Sequence, residues 1–332
     1  MKTAIVILNW NGKKLLEEFL PSIVKHNSDT AEIYVADNAS TDNSIAFLKE
    51  HFPTVKIVVN PENGGYAKGY NDALQHIDAD IYCLINSDIE VTHNWLPPIL
   101  NVFKENPNTA IIQPKLLDFK DKTKFEYAGA GGGFVDFFGY PYCRGRVFNH
   151  LETDEGQFND ITDIFWASGA CFFIRSDVFH QLGGFDEDYF AHQEEIDLCW
   201  RAHNEGHNVK YVGTSTVYHV GGATLQETNP HKTYLNFRNS LLTVLKNVPS
   251  RYLFQTVFSR LVLDGIAGIK FFLELRPIHT WSILKAHLSF YKNLFKFIKK
   301  RRALQRKPDY NKHTSVVWQY FVLGRKKFED LR

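Results

Sequence analysis

Along the first two hundred positions, short apolar runs alternate with longer amphipathic stretches. TAIVIL, EIYVAD, VKIVVN, DIYCLIN and TAIIQP have the length and the β-branched content of buried strands. Between them, helical spacing predicts helices from about Lys13 to His26, Thr41 to His51, Tyr66 to Ile77 and His93 to Asn106. Repeated strand-helix units of this kind imply an α/β fold with a mostly parallel central sheet flanked by helices. In open sheets of this class, ligands bind beyond the carboxyl ends of the strands. Here those ends read Asn9-Trp10-Asn11-Gly12, Asp37-Asn38-Ala39-Ser40-Thr41-Asp42, Asn60-Pro61-Glu62-Asn63-Gly64-Gly65 and Asn86-Ser87-Asp88. Such residues form turns and helix caps in any protein. Their recurrence at one sheet edge points to a binding site, although no dinucleotide fingerprint or phosphate-cradling loop is present.

Past the fifth run the pattern changes. Leu116 to Asp160, which contains EYAGAGGGFVDFFGYPYCRGR, is rich in glycine and aromatic residues without a clear period, as a long functional loop or a packed hairpin would be. From Leu253, LFQTVFSRLVLDGIAGIKFFLEL resembles a membrane span in length and apolar content. Arg260, Asp264, Lys270 and Glu274 fall on one side of it as two i, i+4 pairs, which suits a surface helix, and no membrane crossing is expected. Residues 281 to 302 place Lys285, Lys292, Lys296, Lys299 and Lys300 on one arc and Ile283, Phe290, Leu294, Phe297 and Ile298 opposite. This basic amphipathic helix suits an anionic membrane surface; packing of its apolar arc on the rest of the protein is the ordinary alternative.

With 332 residues, 44% of them hydrophobic and 14% aromatic, the chain can bury one large core or two smaller ones. Its net charge of +1 conceals an asymmetry. Ten Lys or Arg and no acid lie between Glu274 and Asp309, leaving 28 basic and 37 acidic residues elsewhere, a formal charge of about −9. The acidic remainder, with the bases confined to one helix, argues against nucleic-acid binding. Cys83, Cys143, Cys171 and Cys199 form no CxxC pair and are expected as buried thiols in a reducing compartment. The opening MKTAIVILNWNGKK looks like a signal peptide, but its apolar run stops at Asn9 without a cleavage pattern and is read as the first strand.

The densest chemistry is FDEDYFAHQEEIDLCWRAHNEGH, residues 185 to 207, with seven carboxylates and three histidines. Acids that open a helix ordinarily do no more than complement its dipole. In a helix from about Gln193, Glu194, Asp197 and Arg201 share a face on which they can pair. Glu195 points about 100° away from Glu194, free of that cluster.

Taken in order, VILNWNG, VADNASTDNS, NGGYAKGYN, LINSDIEV, WASGACFFIRSDVF, LGGFDEDYFAHQEEIDLCWR and VYHVGG resemble the family 2 glycosyltransferases, in particular the bacterial branch that includes rhamnosyltransferases. The match runs from about Ile5 to Gly222. It implies a GT-A fold in residues 1–225, with a nucleotide-sugar-binding half (1–113) and an acceptor-binding half (114–225), followed by a helical C-terminal region (226–332). The implied enzyme works at the cytoplasmic face of the cell membrane, peripherally attached. It moves one sugar, with inversion, from a nucleoside-diphosphate donor to a hydroxyl of a growing cell-surface glycan or a lipid-linked saccharide. The donor implied is dTDP-rhamnose; UDP- or GDP-linked sugars are the alternatives, and a catalytically inactive membrane-associated scaffold is the alternative of another class.

By the same resemblance, Asp88 closes the family's metal-binding acidic motif, whose first position is here Asn86 rather than Asp. His219, ahead of Gly221 and Gly222, completes the metal site. Hard oxygen ligands with one imidazole suit Mn2+ or Mg2+, which would neutralise the diphosphate leaving group. Asn9 and Asp37 match positions near the base or ribose, and Asn63, Gly64 and Gly65 match the loop that approaches the nucleotide. Asn86 and Ser87 belong to the same donor side, whereas Ser168, Gly169 and Asp186 are assigned to the acceptor side. An inverting transfer needs one base for the acceptor hydroxyl. In the family that base is the second acid of a Glu-Asp motif, which is Glu195 here. The family often has Asp there, and the longer side chain leaves Glu194 as the alternative.

Overall fold

The computed structural model describes residues 1–27, 30–221, 229–304 and 309–332. The predicted alternation is present as β1 (Thr3–Asn9), α1 (Lys13–Asn27), β2 (Glu32–Asp37), α2 (Ser44–His51), β3 (Lys56–Val59), α3 (Gly65–Leu74) and β4 (Ile81–Asn86). Helix α2 starts later than predicted because Asp42 accepts from both the backbone N–H (3.0 Å) and the hydroxyl (2.5 Å) of Ser44, holding residues 42–44 in a turn. A short β5 (Ile89–Val91), α4 (Leu96–Glu105) and β6 (Thr109–Asp118) follow. Pro97 and Pro98 occupy the first turn of α4, where no intrahelical N–H is needed.

The aperiodic stretch holds a separate four-stranded sheet, β7 (Gly133–Val135), β8 (Pro141–Cys143), β9 (Arg146–Val147) and β10 (His150–Leu151). Glycine is dictated there by packing: a Cβ on Gly133 would lie 2.1 Å from the Trp166 indole. Then come β11 (Ile161–Asp163), β12 (Cys171–Arg175), α5 (Ser176–Gln181), α6 (Glu194–Asn204) and β13 (Asn208–His219). Among the described residues the large sheet runs β11-β13-β6-β12-β4-β1-β2-β3, with β5 beside β13. Strands β1 to β4, β6 and β13 point one way; β5, β11 and β12 run against them. This is the mostly parallel, helix-flanked sheet expected.

Alternation along β1 separates two cores. Ile5 and Ile7 pack with α1 and α4, and Ala4 and Val6 pack with α3 and α6. Burial on both faces explains why the strands read as continuous apolar runs. All four cysteines are buried free thiols. The register pairs Asn9 with Asp37 and Leu8 with Asn86, bringing the polar ends of β1, β2 and β4 to one level.

The C-terminal region is helical: α7 (Pro230–Asn247), α8 (Ser250–Leu273), α9 (Pro277–Arg302) and α10 (Val316–Phe321). The expected domain boundary at 225 and Gly222 lie outside the described residues. The apolar arc predicted for residues 281–302 faces inward, with Ile283, Phe290 and Phe297 buried and Phe290 and Phe297 packed with Leu241, Leu242 and Leu245 of α7. Two of its five lysines, Lys296 and Lys300, pair with Asp188 and Asp186 instead of facing solvent alone. On α8 only the second i, i+4 pair, Lys270 with Glu274 at 3.3 Å, is at the surface. The first, Arg260 with Asp264, is buried, and the guanidinium stacks 3.8 Å from the centre of the Tyr140 ring. No helix among the described residues is long and apolar enough to cross a membrane.

Candidate active site

At the carboxyl edge of the sheet, Asn9 Nδ2 donates to Asp37 Oδ2 (2.9 Å) and Ser40 Oγ (3.2 Å), and Asp37 Oδ1 accepts from the Ser40 N–H (2.8 Å). Both Asn9 and Asp37 are fully buried. Asp37 therefore ties the ends of β1 and β2 together at the sheet edge where the donor side is expected. Asn9 Oδ1 has no partner and points where a side chain on Gly12 would be, at 2.4 Å. Asn63 Oδ1 accepts from the Gly65 N–H (3.0 Å) and shapes the turn into α3. Gly64 caps that helix with φ −81°, and Gly65 has φ +75°. The Gly65 requirement comes from the protein itself, since its Cβ would meet the Phe190 carbonyl oxygen at 2.6 Å. The Tyr66 N–H donates to that same carbonyl (2.9 Å), docking this loop on the segment that leads into α6.

Asn86 ends β4 and Ser87 follows it in the turn, and the pairing of β5 with β13 brings Asp88 to His219. Asp88 Oδ1 lies 3.2 Å from His219 Nε2, and Glu126 Oε1 lies 3.1 Å from Nδ1 on the other side of the ring. All three side chains are buried. Burial opposes protonation of the imidazole, but Glu126 and Asp88 outweigh it and push its pKa up to about 10. An imidazole between a carboxylate and a second, backing carboxylate is how proteins orient a metal-binding histidine. Once a cation displaces the Nε2 proton, Asp88 and His219 Nε2 converge as an oxygen and a nitrogen donor, which fits a hard divalent cation completed by phosphate oxygens and water. Among the described residues no group of three His, Cys, Asp or Glu forms a closed protein cage.

Phe190, His192 and Gln193 all have positive φ, so the chain enters α6 through a strained turn that sets where Glu194 and Glu195 point. Glu194 is buried, whereas Glu195 keeps partial exposure. Each has one buried carboxyl oxygen, Oε2, without a hydrogen-bond partner. Burial raises both, Glu195 to about 7 and Glu194 further because its neighbour's charge adds to the effect. A Cβ on Gly169 would sit 3.8 Å from the Glu195 carboxyl carbon, and the Tyr66 hydroxyl donates to the Gly169 carbonyl (2.8 Å).

The cluster predicted on α6 forms only between Asp197 and Arg201 (2.8 Å), without Glu194. Asp197 also accepts from Lys246 (2.9 Å) and Asn247 (2.8 Å) of α7. Although burial opposes its ionisation, Lys246 and Arg201 hold its carboxyl well below the usual range. Asp197→Ala would leave the buried Arg201 guanidinium without a carboxylate partner and Lys246 with Asp186 alone, and a loss of about 3–5 kcal/mol is expected, read as a lower urea midpoint at unchanged slope.

The remaining assignments divide. Ser168 is fully buried; its N–H donates to Gln113 (2.8 Å) and its hydroxyl accepts from the Ala170 N–H (3.2 Å), so it fixes the turn that presents Gly169 and does not line an open site. Asp186 is held by Lys246 (2.8 Å) and Lys300, which makes it an anchor of the loop before α6. The Asn86 N–H donates to the Ala170 carbonyl (2.9 Å), so Gly169 and the Glu195 carboxyl beside it lie at the same rim as Asn86, Ser87 and Asp88. Sequence reasoning missed Glu126, Tyr66 and Lys246. Glu126 opens the glycine-rich EYAGAGGG stretch, where an isolated carboxylate was the available signal.

Comparisons with known proteins accord with this geometry. A family model described as Glycosyl transferase family 2 matches residues 4–183. A low-salt glycan biosynthesis hexosyltransferase of Haloferax volcanii is 23% identical over 246 residues, 72% of this chain and 74% of that protein. An N-acetylglucosaminyl-diphospho-decaprenol L-rhamnosyltransferase of Mycobacterium tuberculosis is 25% identical over 231 residues, 65% of this chain and 75% of that protein. Among solved structures, a mannosyltransferase from Pyrobaculum calidifontis in complex with GDP-Man and Mn2+ superposes with a TM-score of 0.53 at 14% identity, over 91% of this chain and 87% of that one. At that identity the likeness is one of fold, the GT-A fold.

Proposed function

The chain belongs to glycosyltransferase family 2, and from that premise we propose that it transfers rhamnose from dTDP-rhamnose, with inversion, to a hydroxyl of a lipid-linked saccharide or growing surface glycan at the cytoplasmic face of a membrane. That it is a glycosyltransferase using a nucleotide-sugar donor follows from the family and its relatives; the sugar, acceptor and location are our reading. The relative from M. tuberculosis, named for rhamnosyl transfer, supports the donor.

The observation that carries the mechanism is the Glu195 carboxyl, raised to about 7 by burial, partly exposed, and set beside Gly169 at the rim that ends in Asp88. Glu195 takes the acceptor hydroxyl proton as the acceptor oxygen bonds to the anomeric carbon. The bond from that carbon to the diphosphate breaks on the opposite face, and its electron pair leaves with the nucleoside diphosphate. Glu194, more strongly raised and sealed, stays protonated and leaves Glu195 as the one base. Asp88 and His219 would hold a divalent cation, Mn2+ or Mg2+, which when bound neutralises charge on the leaving diphosphate. Asn9, Asp37, Asn63, Gly64, Gly65, Asn86 and Ser87 form the donor side, with Asp37 acting through Asn9. Gly169 and the Asp186 loop face the acceptor.

The test is release of nucleoside diphosphate from a panel of dTDP-, UDP- and GDP-linked sugars in the presence of Mn2+. Fastest release from dTDP-rhamnose is expected. Release confined to UDP- or GDP-sugars would reject the donor and keep the reaction class.

A further inference from the structure

Helix α8 is inside out. Its inward side carries Thr256, Arg260 and Asp264, all buried, whereas Phe254, Phe258, Val262, Ile266 and Ile269 recur at three- and four-residue spacing on the outer side, 48 to 82% exposed. On α9, Trp281, Leu284, Leu288, Tyr291 and Phe295 form a second outward stripe, 49 to 83% exposed. The helices pack together along a seam where the Thr280 hydroxyl donates to the Gly268 carbonyl (2.8 Å). Each stripe lies opposite the buried side of its own helix, so the packed pair turns both stripes outward. Folded proteins rarely leave apolar surface of this extent to water, and it marks a docking surface.

Charge identifies the occupant. Lys285, Lys292 and Lys299 are exposed beside the α9 stripe, and Arg251 and Lys270 are exposed on α8. Against them, among the described residues from Arg251 to Leu304, the acids are Asp264, which is buried, and Glu274. A second copy of the chain would bring this basic rim against itself, whereas anionic headgroups complement it. We propose that the α8–α9 face inserts into the interfacial layer of an anionic phospholipid bilayer, seating the chain on the membrane without crossing it. The proposal stands on these two helices alone and rests on the transferase reading only for its consequence. Lys296 and Lys300, which follow Phe295 on α9, hold Asp188 and Asp186 in the loop leading to Glu195, so the helix that meets the bilayer also anchors the loop that leads to the base, as an enzyme with a lipid-linked acceptor would need.

The experiment is flotation of the full chain with phosphatidylcholine vesicles, with and without phosphatidylglycerol, with nucleoside-diphosphate binding and thermal unfolding measured on the same samples. Binding at least about tenfold stronger to the anionic vesicles is expected. The double variant Phe258→Glu/Leu288→Glu should lose about 100-fold in vesicle affinity while still binding nucleotide. Lys285→Glu/Lys292→Glu/Lys299→Glu should erase the preference for anionic lipid, and Ile161→Glu, at an exposed apolar position on β11, should float like the natural chain. No flotation of the natural chain, flotation of the double variant at the natural level, or a dimer in light scattering that the double variant splits would each overturn the proposal. Flotation without nucleotide binding would remove the transferase reading and leave this one standing.

Discussion

Glu195→Gln is expected to slow sugar transfer by about 10²–10⁴-fold, the usual worth of a positioned general base, with donor affinity unchanged. The amide keeps the size of the side chain and its place at the N-terminus of α6, so the strained turn through His192 and Gln193 is undisturbed. What is lost is the ability to take a proton. The same physics sets the pH profile. Burial raises the Glu195 carboxyl to about 7, and its working form is the ionised one, so kcat/KM should climb as pH rises toward 7 and level off above it. Initial rates of nucleoside-diphosphate release with acceptor present, taken from acid to mildly alkaline pH, check both. An inert Glu194→Gln beside a near-normal Glu195→Gln would move the base to the neighbouring position.

Asp88→Ala is expected to cost more than about 100-fold in turnover and to remove the metal-dependent part of nucleotide affinity. Asn86 is neutral, so Asp88 is the one carboxylate following β4 in this motif. Without it His219 faces only Glu126, which lies behind the ring on the Nδ1 side. The His219 ring keeps Glu126 as its partner at Nδ1, so turnover should fall far more than stability does.

The N-terminal half of the molecule was legible because its signals are local. Each apolar run from Thr3 to Asn86 became a strand, and the polar residues after each run came to one edge, as the period and the α/β rule require. The pairing of Asp88 with His219 depends on β5 and β13, whose closest paired residues, Val91 and Val217, are 126 positions apart in the chain, and three-residue β5 is too short to show a period of its own. Glu126 and the small sheet from β7 to β10 lay in a stretch whose glycines answer to packing, such as Gly133 against Trp166, and not to any repeat. On α8 the sequence showed which residues share a side but not which side is buried. Arg260 and Asp264 turn inward because Tyr140, far away in the chain, supplies a ring for the guanidinium and a hydroxyl 3.3 Å from the carboxylate. The lysines of α9 were divided in the same way, by Asp186 and Asp188 in a distant loop.

The measurement that tests the central claim most directly is calorimetric titration of the natural chain and Asp88→Ala with nucleoside diphosphates, with Mn2+ and with EDTA. The account predicts binding that Mn2+ strengthens in the natural chain and leaves unchanged in Asp88→Ala. Failure of every nucleotide to bind the natural chain, with or without the metal, would contradict it.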